Sequence, residues 1–187
     1  VVVGHDARNV QGADVVVRSS AVPDDNPEVI AAVAAGIPVL KRAAFLGRLM
    51  QGKLSIAVAG THGKTTTTAM ISWVFTALGK DPSYIIGGVS KNLARNAHAG
   101  KGNIFILEAD EYDRSFLQLA PTIAVVTSMD ADHLDIYGTA NALEEAFIQF
   151  TAQVDPEGLV VAKFGLPRAS DLKGNHTILY HLTDERA

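Results

Sequence analysis

Residues 54–68 read LSIAVAGTHGKTTTT and constrain the fold more than any other stretch of the chain. An apolar, strand-like run leads into a short loop that contains Gly60 and Gly63, and a lysine and a run of threonines follow directly. Glycine lets backbone N–H groups turn toward an anion, Lys64 can reach the outer phosphates of a nucleotide, and the Thr65 hydroxyl can bind Mg²⁺ at the start of a helix. The pattern therefore predicts a strand, a phosphate-binding loop and a helix, in that order.

The loop departs from the complete phosphate-binding pattern at one position. The first glycine of G-x-x-x-x-G-K-T would lie five residues before Gly63, where this chain has Val58. The shortened motif also describes a glycine turn that simply starts a helix. The flanks favour phosphate binding, because a strand-like run precedes the loop and an amphipathic helix is predicted after it. The apolar residues of that helix are Ala69, Met70, Ile71, Trp73, Val74 and Leu78.

Composition excludes several classes of protein and of site. The chain has 187 residues, 48% of them apolar, and a net charge of −4, so a globular protein with no general attraction for nucleic acid is expected. The absence of cysteine excludes disulfides, thiolate metal sites and cysteine nucleophiles. No apolar run is long enough for membrane insertion and the first residues lack the features of a signal peptide, so a cytoplasmic location is predicted. Because the chain starts inside a strand-like run, we expect that it lacks its natural amino terminus.

Short β-branched runs alternate with helical patterns, which is typical of parallel α/β layers. Strands are predicted near residues 15–18, 37–40, 54–59, 83–86, 104–108, 122–127 and 158–163. One helix is predicted to begin after Asn26, its N-cap, with Pro27 in the first turn. Three more helices are predicted at residues 43–50, 64–78 and 140–153. The predicted fold class is α/β, with a parallel-sheet, phosphate-loop nucleotide-binding domain preceded by part of a Rossmann-like α/β domain. A domain boundary is predicted at residues 51–53, so that the partial Rossmann-like domain spans residues 1–52 and the nucleotide-binding domain spans residues 53–187.

Four carboxylates stand at and after the end of the predicted strand 104–108: Glu108, Asp110, Glu111 and Asp113. Open α/β sheets bind ligands beyond the carboxyl ends of their strands, so an acid at this position can face the metal of a nucleotide. The alternative is a solvated acidic turn. Not every acid needs a function, and Glu111 and Asp113 are expected on the surface.

A histidine stands among carboxylates after the next predicted strand, residues 122–127. Residues 128–135 read SMDADHLD, which places His133 at the same edge of the sheet. A single histidine is more often a hydrogen-bonded core or surface residue than a ligand. Its position after a second strand end, in a chain with a phosphate loop, favours the hypothesis that it binds a metal.

The segments AGTHGKTTTT, EADEYDRSFL and TSMDADHLDIYGT resemble the Mur ligase family in order and spacing, and the resemblance extends from Gly4 to about Lys163. Within the family, GTHGKTTT, EADE followed by SFL, and the segments GHDARNV, RSSAV and DNPEVIAA resemble the branch that adds L-alanine to UDP-N-acetylmuramate. Many other members carry a carbamylated lysine beyond the metal-binding histidine, where this chain has Phe147, Ile148 and Gln149. Its absence is another mark of the L-alanine branch and of its murein-recycling relative.

The resemblance implies an ATP-dependent, ADP-forming ligase of peptidoglycan precursor synthesis. The γ-phosphoryl group of ATP would pass to the muramic acid carboxylate, and the L-alanine amine would attack the acyl phosphate. Lys64, Glu108 and His133 are the implied catalytic residues; Thr65 and Glu108 would bind Mg²⁺, and His133 a second Mg²⁺. The ATP phosphates would be held by the loop residues Gly60, Thr61, His62, Gly63, Lys64, Thr65 and Thr66.

The resemblance also implies that the two parts of the chain bind different substrates. Residues 1–52 would be the C-terminal part of the UDP-substrate-binding domain, in which His5, Ser19 and Ser20 border the UDP site. These three side chains could equally be strand-end polar groups that close turns. Residues 53–187 would be an incomplete ATP-binding central domain. The family's glycine-rich start and its carboxy-terminal domain are not part of the sequence, so we expect a fragment that is inactive by itself.

Two other classes of function share part of this pattern. A phosphate-loop kinase or GTPase would share residues 54–68, but the sequence has no guanine-binding motif like N-K-x-D. A non-catalytic binding module would keep the fold and lose the metal ligands, whereas Thr65, Glu108 and His133 are all present. Within the family, the alternative is the recycling ligase that adds a peptide to the same sugar nucleotide.

Overall fold

The computed structural model describes residues 1–132 and 134–181. The chain divides into two compact units, Val1–Leu49 and Met50–Ala187. The elements that begin before this boundary are a 3-10 helix (Ala7–Val10), β1 (Val16–Arg18), α1 (Pro27–Ala34), β2 (Val39–Lys41) and α2 (Arg42–Met50).

The first unit contains a parallel pair of strands and a capped helix. β1 and β2 pair with Val16 opposite Val39. The predicted start of α1 is confirmed, because the Asn26 side-chain oxygen accepts a hydrogen bond from the backbone N–H of Glu28 at 2.9 Å and Pro27 begins the helix.

The second unit is built on a sheet that has seven strands within the described residues. The strands are β3 (Leu54–Ala59), β4 (Ser83–Ser90), β5 (Arg95–His98), β6 (Ile104–Glu108), β7 (Ile123–Val126), β8 (Leu159–Lys163) and β9 (Thr177–Tyr180). The helices are α3 (Lys64–Ala77), α4 (Leu134–Tyr137), α5 (Ala140–Thr151) and two 3-10 segments, Tyr112–Gln118 and Ala169–Asp171. Neighbouring strands follow the order β5-β4-β6-β3-β7-β8-β9 and pair in parallel except for β4 with β5. The predicted α/β class is confirmed.

The order β6-β3-β7 at the centre of the sheet decides where the site lies. Val58 of β3 pairs with Glu108 of β6, and Ala59 pairs with Val126 of β7. These strands run in the same direction, so the loops that leave their carboxyl ends meet at one edge of the sheet. The phosphate-binding loop follows β3, the acidic segment follows β6, and the segment that leads to residue 133 follows β7.

Two apolar clusters hold these loops in place. Ile56, Val58, Ile106 and Val125 form part of the cluster against which α3 packs. A second cluster contains three fully buried rings, in which Phe116 stacks on Phe150 at 5.1 Å and meets Phe147 edge-on at 5.3 Å between ring centroids. The 3-10 segment that holds Phe116 is thereby packed against α5.

Helix α3 buries a different face from the one that its apolar residues predict. Met70, Trp73, Val74 and Leu78 are exposed, between 41% and 64% of their surface. The residues that turn inward are Thr68, Ile71, Ser72 and Phe75, spaced i, i+3, i+4 and i+7. Ala69, Ile71 and Phe75 pack against the apolar cluster of the sheet, so the buried face of the helix differs from the apolar set Met70, Trp73, Val74 and Leu78.

Candidate functional site

Glycine is required in the phosphate-binding loop by the backbone and by a neighbouring strand end. Gly60 and Gly63 have φ angles of 139° and 85°, where residues with a Cβ are strained. A Cβ on Gly60 would lie 2.1 Å from Thr127 Oγ1. Gly63 is the N-cap of α3, which begins at Lys64. The loop thus places the positive end of a 14-residue helix dipole beside the carboxyl end of β3.

The segment after β7 braces this loop through hydroxyl groups. Thr127 Oγ1 donates to the His62 carbonyl at 2.5 Å, and Ser128 Oγ accepts from the His62 N–H at 2.7 Å. Thr61 Oγ1 lies 2.9 Å from Ser128 Oγ and accepts from the backbone N–H of Asp130 at 3.1 Å. The conformation of the phosphate-binding loop therefore depends on the segment that runs on to residue 133.

Lys64 is paired with a buried carboxylate. Its ammonium nitrogen lies 2.9 and 2.8 Å from the two carboxylate oxygens of Glu111 and 2.8 Å from the Gly60 carbonyl oxygen. Glu111 is fully buried, and 16% of the Lys64 side chain is exposed. The expectation that Glu111 lies on the surface was wrong, since its carboxylate points inward to the lysine, whereas Asp113 is exposed as expected. A buried carboxylate has to be paired, which is why the ion pair and the burial occur together.

Tyr137 fixes the backbone at Glu111. Its hydroxyl donates to the Glu111 carbonyl oxygen at 2.6 Å. Burial raises the pKa of the Tyr137 phenol to about 12, with nearby Arg114 opposing the shift, so the donor keeps its proton at neutral pH. Tyr137 belongs to α4, so its hydrogen bond connects this helix to the acidic segment after β6.

Thr65 and Glu108 are brought together at the same edge of the sheet. The Thr65 hydroxyl donates to Glu108 Oε2 at 3.1 Å, and the Gly87 N–H donates to Glu108 Oε1 at 2.5 Å. A Cβ on Gly87 would lie 2.7 Å from Glu108 Oε2, so glycine at this position lets the carboxylate lie against the backbone of β4. A hydroxyl and a carboxylate are oxygen donors of the kind that Mg²⁺ prefers.

The described residues contain no group of three or more histidine, aspartate or glutamate side chains that could hold a metal ion. Thr65 and Glu108 could supply two oxygen ligands to Mg²⁺, which at nucleotides usually also keeps water and phosphate oxygens. His133 lies outside the described residues, and its proposed metal-binding role stays a prediction.

The three candidate residues of the first unit make local contacts. His5 Nδ1 lies 2.7 Å from Glu28 Oε2, and this hydrogen bond, with a second one from Asn9, lowers the pKa of the Glu28 carboxyl. Ser19 Oγ accepts from the Ala21 N–H at 3.3 Å, and Ser20 is exposed. Their place at a UDP site stays a prediction.

Five residues of the second unit were missed as parts of the site: Gly87, Glu111, Thr127, Ser128 and Tyr137. Glu111 stands in an acidic run that is typical of a surface turn, and Thr127 and Ser128 are ordinary polar residues at a strand end. Each acquires its role through a residue far away in sequence, as Thr127 does through Gly60 and His62. Polar residues directly after buried parallel strands are the one signal that would have pointed to Thr127 and Ser128.

The pattern of the Mur ligase middle domain matches residues 58–182, well over half of the chain. The chain belongs to the Mur ligase family. A second pattern, described as the catalytic domain of the Mur ligase family, matches residues 1–54. Membership of this family favours the ligase interpretation over a phosphate-loop kinase or GTPase. Among the described residues of this Mur ligase chain, none of the helices has the length and apolar character needed to cross a bilayer.

A curated relative of this Mur ligase chain is the UDP-N-acetylmuramate–L-alanine ligase of Sorangium cellulosum. The two are 49% identical over 170 residues, which are 91% of this chain and 36% of the relative. The chain thus spans little more than a third of the length of that relative.

Two solved structures have the same fold. The UDP-N-acetylmuramate-alanine ligase of Thermotoga maritima is 32% identical, with a TM-score of 0.77 over 95% of this chain and 41% of the other. The UDP-N-acetylmuramate:L-alanyl-gamma-D-glutamyl-meso-diaminopimelate ligase of Neisseria meningitides is 30% identical, also with a TM-score of 0.77, over 94% of this chain and 61% of the other. Fold similarity is therefore equal for the L-alanine ligase and the peptide ligase.

Proposed function

We propose that the protein carrying this chain is an ATP-dependent, ADP-forming ligase that joins L-alanine to UDP-N-acetylmuramate in peptidoglycan precursor synthesis. The observation that carries the proposal is the contact of Thr65 with Glu108 beside the phosphate-binding loop, in a chain about half identical to an L-alanine ligase. Residues 53–187 would be the ATP-binding domain and residues 1–52 part of the domain that binds the UDP substrate through His5, Ser19 and Ser20.

The loop is suited to binding a polyphosphate. The backbone of Gly60–Thr66 and the N-terminus of α3 would face the phosphates of ATP, and Lys64 would neutralise charge on the transferred γ-phosphoryl group. Thr65 and Glu108 would hold Mg²⁺, which supplies charge neutralisation at the phosphates when bound. His133 would bind a second Mg²⁺.

The proposed chemistry needs mostly charge neutralisation and alignment. The muramic acid carboxylate takes the γ-phosphoryl group and ADP leaves; the L-alanine amine then attacks the acyl carbon, the amide forms, phosphate leaves and the amine proton is lost. Both steps bring anionic or poorly electrophilic groups together, so positive charge and in-line placement supply most of the acceleration. Lys64 and the positive end of α3 are placed for the first step.

Substrate-dependent ADP release by the complete protein tests this function. With ATP, Mg²⁺ and UDP-N-acetylmuramate present, we expect L-alanine to stimulate ADP release and the peptide L-alanyl-γ-D-glutamyl-meso-diaminopimelate to have little effect. Stimulation by the peptide instead of L-alanine would establish the recycling function. ATP hydrolysis that is independent of the sugar nucleotide would contradict both.

A further inference from the structure

The pairing of Lys64 with Glu111 engages the ammonium that a bound nucleotide would need. An ammonium has three N–H donors, and three protein oxygens lie within 2.9 Å of Lys64 Nζ: the two carboxylate oxygens of Glu111 and the carbonyl oxygen of Gly60. A phosphate oxygen can therefore bind Nζ only by replacing or sharing one of these contacts.

Glu111 is held more firmly than its partner. The residue is fully buried, and its carbonyl oxygen accepts hydrogen bonds from Tyr137 Oη at 2.6 Å and from the Arg114 N–H at 3.0 Å. Lys64 has a flexible four-carbon side chain, part of which is exposed. When phosphates approach the loop, Lys64 is thus the member of the pair that can turn toward them, while the carboxylate stays in place.

We propose that Glu111 is a positioning residue that competes with nucleotide phosphates for Lys64. In the free protein it holds the ammonium against the loop. With nucleotide bound, the Glu111 carboxylate stays close to the lysine, and its negative charge weakens the attraction between the site and the polyanion. This weaker attraction promotes release of ADP after each turnover. The inference rests on the proposed function to the extent that Lys64 binds phosphate.

Binding of ADP without metal tests the proposal directly. Glu111→Gln removes the charge and keeps the size of the side chain, and calorimetric titration of the complete protein with ADP in EDTA excludes any effect through Mg²⁺. We expect ADP to bind about tenfold more tightly to Glu111→Gln than to the wild type, with slower dissociation. The matched control is Asp113→Asn, which removes the same charge from an exposed residue of the same segment and should change the affinity less than twofold.

The outcomes separate the inference from the proposed function. Unchanged or weaker ADP binding by Glu111→Gln, or equal tightening by Asp113→Asn, would overturn the positioning role while the ligase proposal stands. Glu111→Asp keeps the charge but shortens the side chain by one methylene, which moves the carboxylate away from Lys64. An ADP affinity between those of the wild type and Glu111→Gln is expected. If neither Glu111 variant folds, the ion pair serves the fold and the inference is overturned. Failure of the wild-type protein to bind ADP even with Mg²⁺ present would instead refute the proposed function.

Discussion

Lys64 has to satisfy the fold and the proposed chemistry with the same ammonium group. In the structure it is the partner of a carboxylate that is completely buried, and removal of the lysine takes away positive charge that compensates this buried negative charge. Stability and function are therefore coupled at this residue, and a test of one has to control for the other.

Substitution of both members of the pair separates these two effects. Lys64→Ala should lower the free energy of unfolding by about 3 kcal/mol, because it removes the lysine that pairs with the buried Glu111 carboxylate. The double variant Lys64→Ala with Glu111→Gln should recover at least half of this loss, yet neither variant should release ADP. Urea denaturation and an ADP assay measure the two quantities. Equal stability of the single and double variants would show that the ion pair does not stabilise the fold.

The adjacent residues Gly87 and Gly88 provide a matched pair for the proposed metal site. A Cβ on Gly87 would lie 2.7 Å from the Glu108 carboxylate, which can move because it is the end of a flexible side chain, whereas a Cβ on Gly88 would meet only Thr65 Cγ2 at an ordinary 3.5 Å. We expect Gly87→Ala to raise the Mg²⁺ concentration needed for half-maximal ADP release about tenfold. Gly88→Ala should leave it unchanged, and an equal effect of both substitutions would argue against a metal-binding role for Glu108.

At the scale of elements, the central strands could be predicted and the edge strands could not. β3 and β6 have the predicted bounds, because each is a continuous apolar run buried between layers. β5 reads RNAH and is mostly exposed, and it is a strand because it pairs with β4, with Tyr84 opposite His98. β9 similarly depends on β8. Such strands are specified by a partner and carry little periodicity of their own.

The hydrogen bond between Ser128, in the segment after β7, and the phosphate-binding loop can be tested by comparison with a helix cap of similar strength. Ser128→Ala removes the acceptor for the His62 N–H, and Thr139→Ala removes the acceptor for the Ala142 N–H at the start of α5. Each should lower the free energy of unfolding by about 1 kcal/mol.

We expect only Ser128→Ala to weaken ADP binding, because of these two hydroxyls only that of Ser128 contacts the loop. Thermal or urea denaturation gives the stability of each variant, and titration with ADP gives its affinity. Equal ADP affinities in the two variants would mean that the loop keeps its conformation without the brace.

At the scale of the whole molecule, the chain carries the residues that we propose to bind phosphate and metal, but it spans only 36% of an L-alanine ligase relative. Alignment of two substrates supplies up to roughly 7–11 kcal/mol of barrier lowering in the best cases, and it needs every binding surface at once. We therefore expect residues 1–187 expressed alone to form no UDP-N-acetylmuramoyl-L-alanine from ATP, Mg²⁺ and both substrates. Mass spectrometry of the reaction mixture checks this, with the complete protein as positive control, and product at a comparable rate would show that the chain contains the whole catalytic apparatus.

The sequence by itself determined the α/β class, the central strands, the glycine loop between β3 and α3, and the proximity of Thr65 to Glu108. These follow from local rules, since buried runs form parallel strands and the residues after them share one edge of the sheet. Only the tertiary structure decided which face of α3 is buried, that Glu111 pairs with Lys64, and that Thr127 and Ser128 brace the loop. Those features depend on contacts between residues 47 to 68 positions apart, and burial and pairing over such separations are set by the packing of the sheet, which no local pattern encodes.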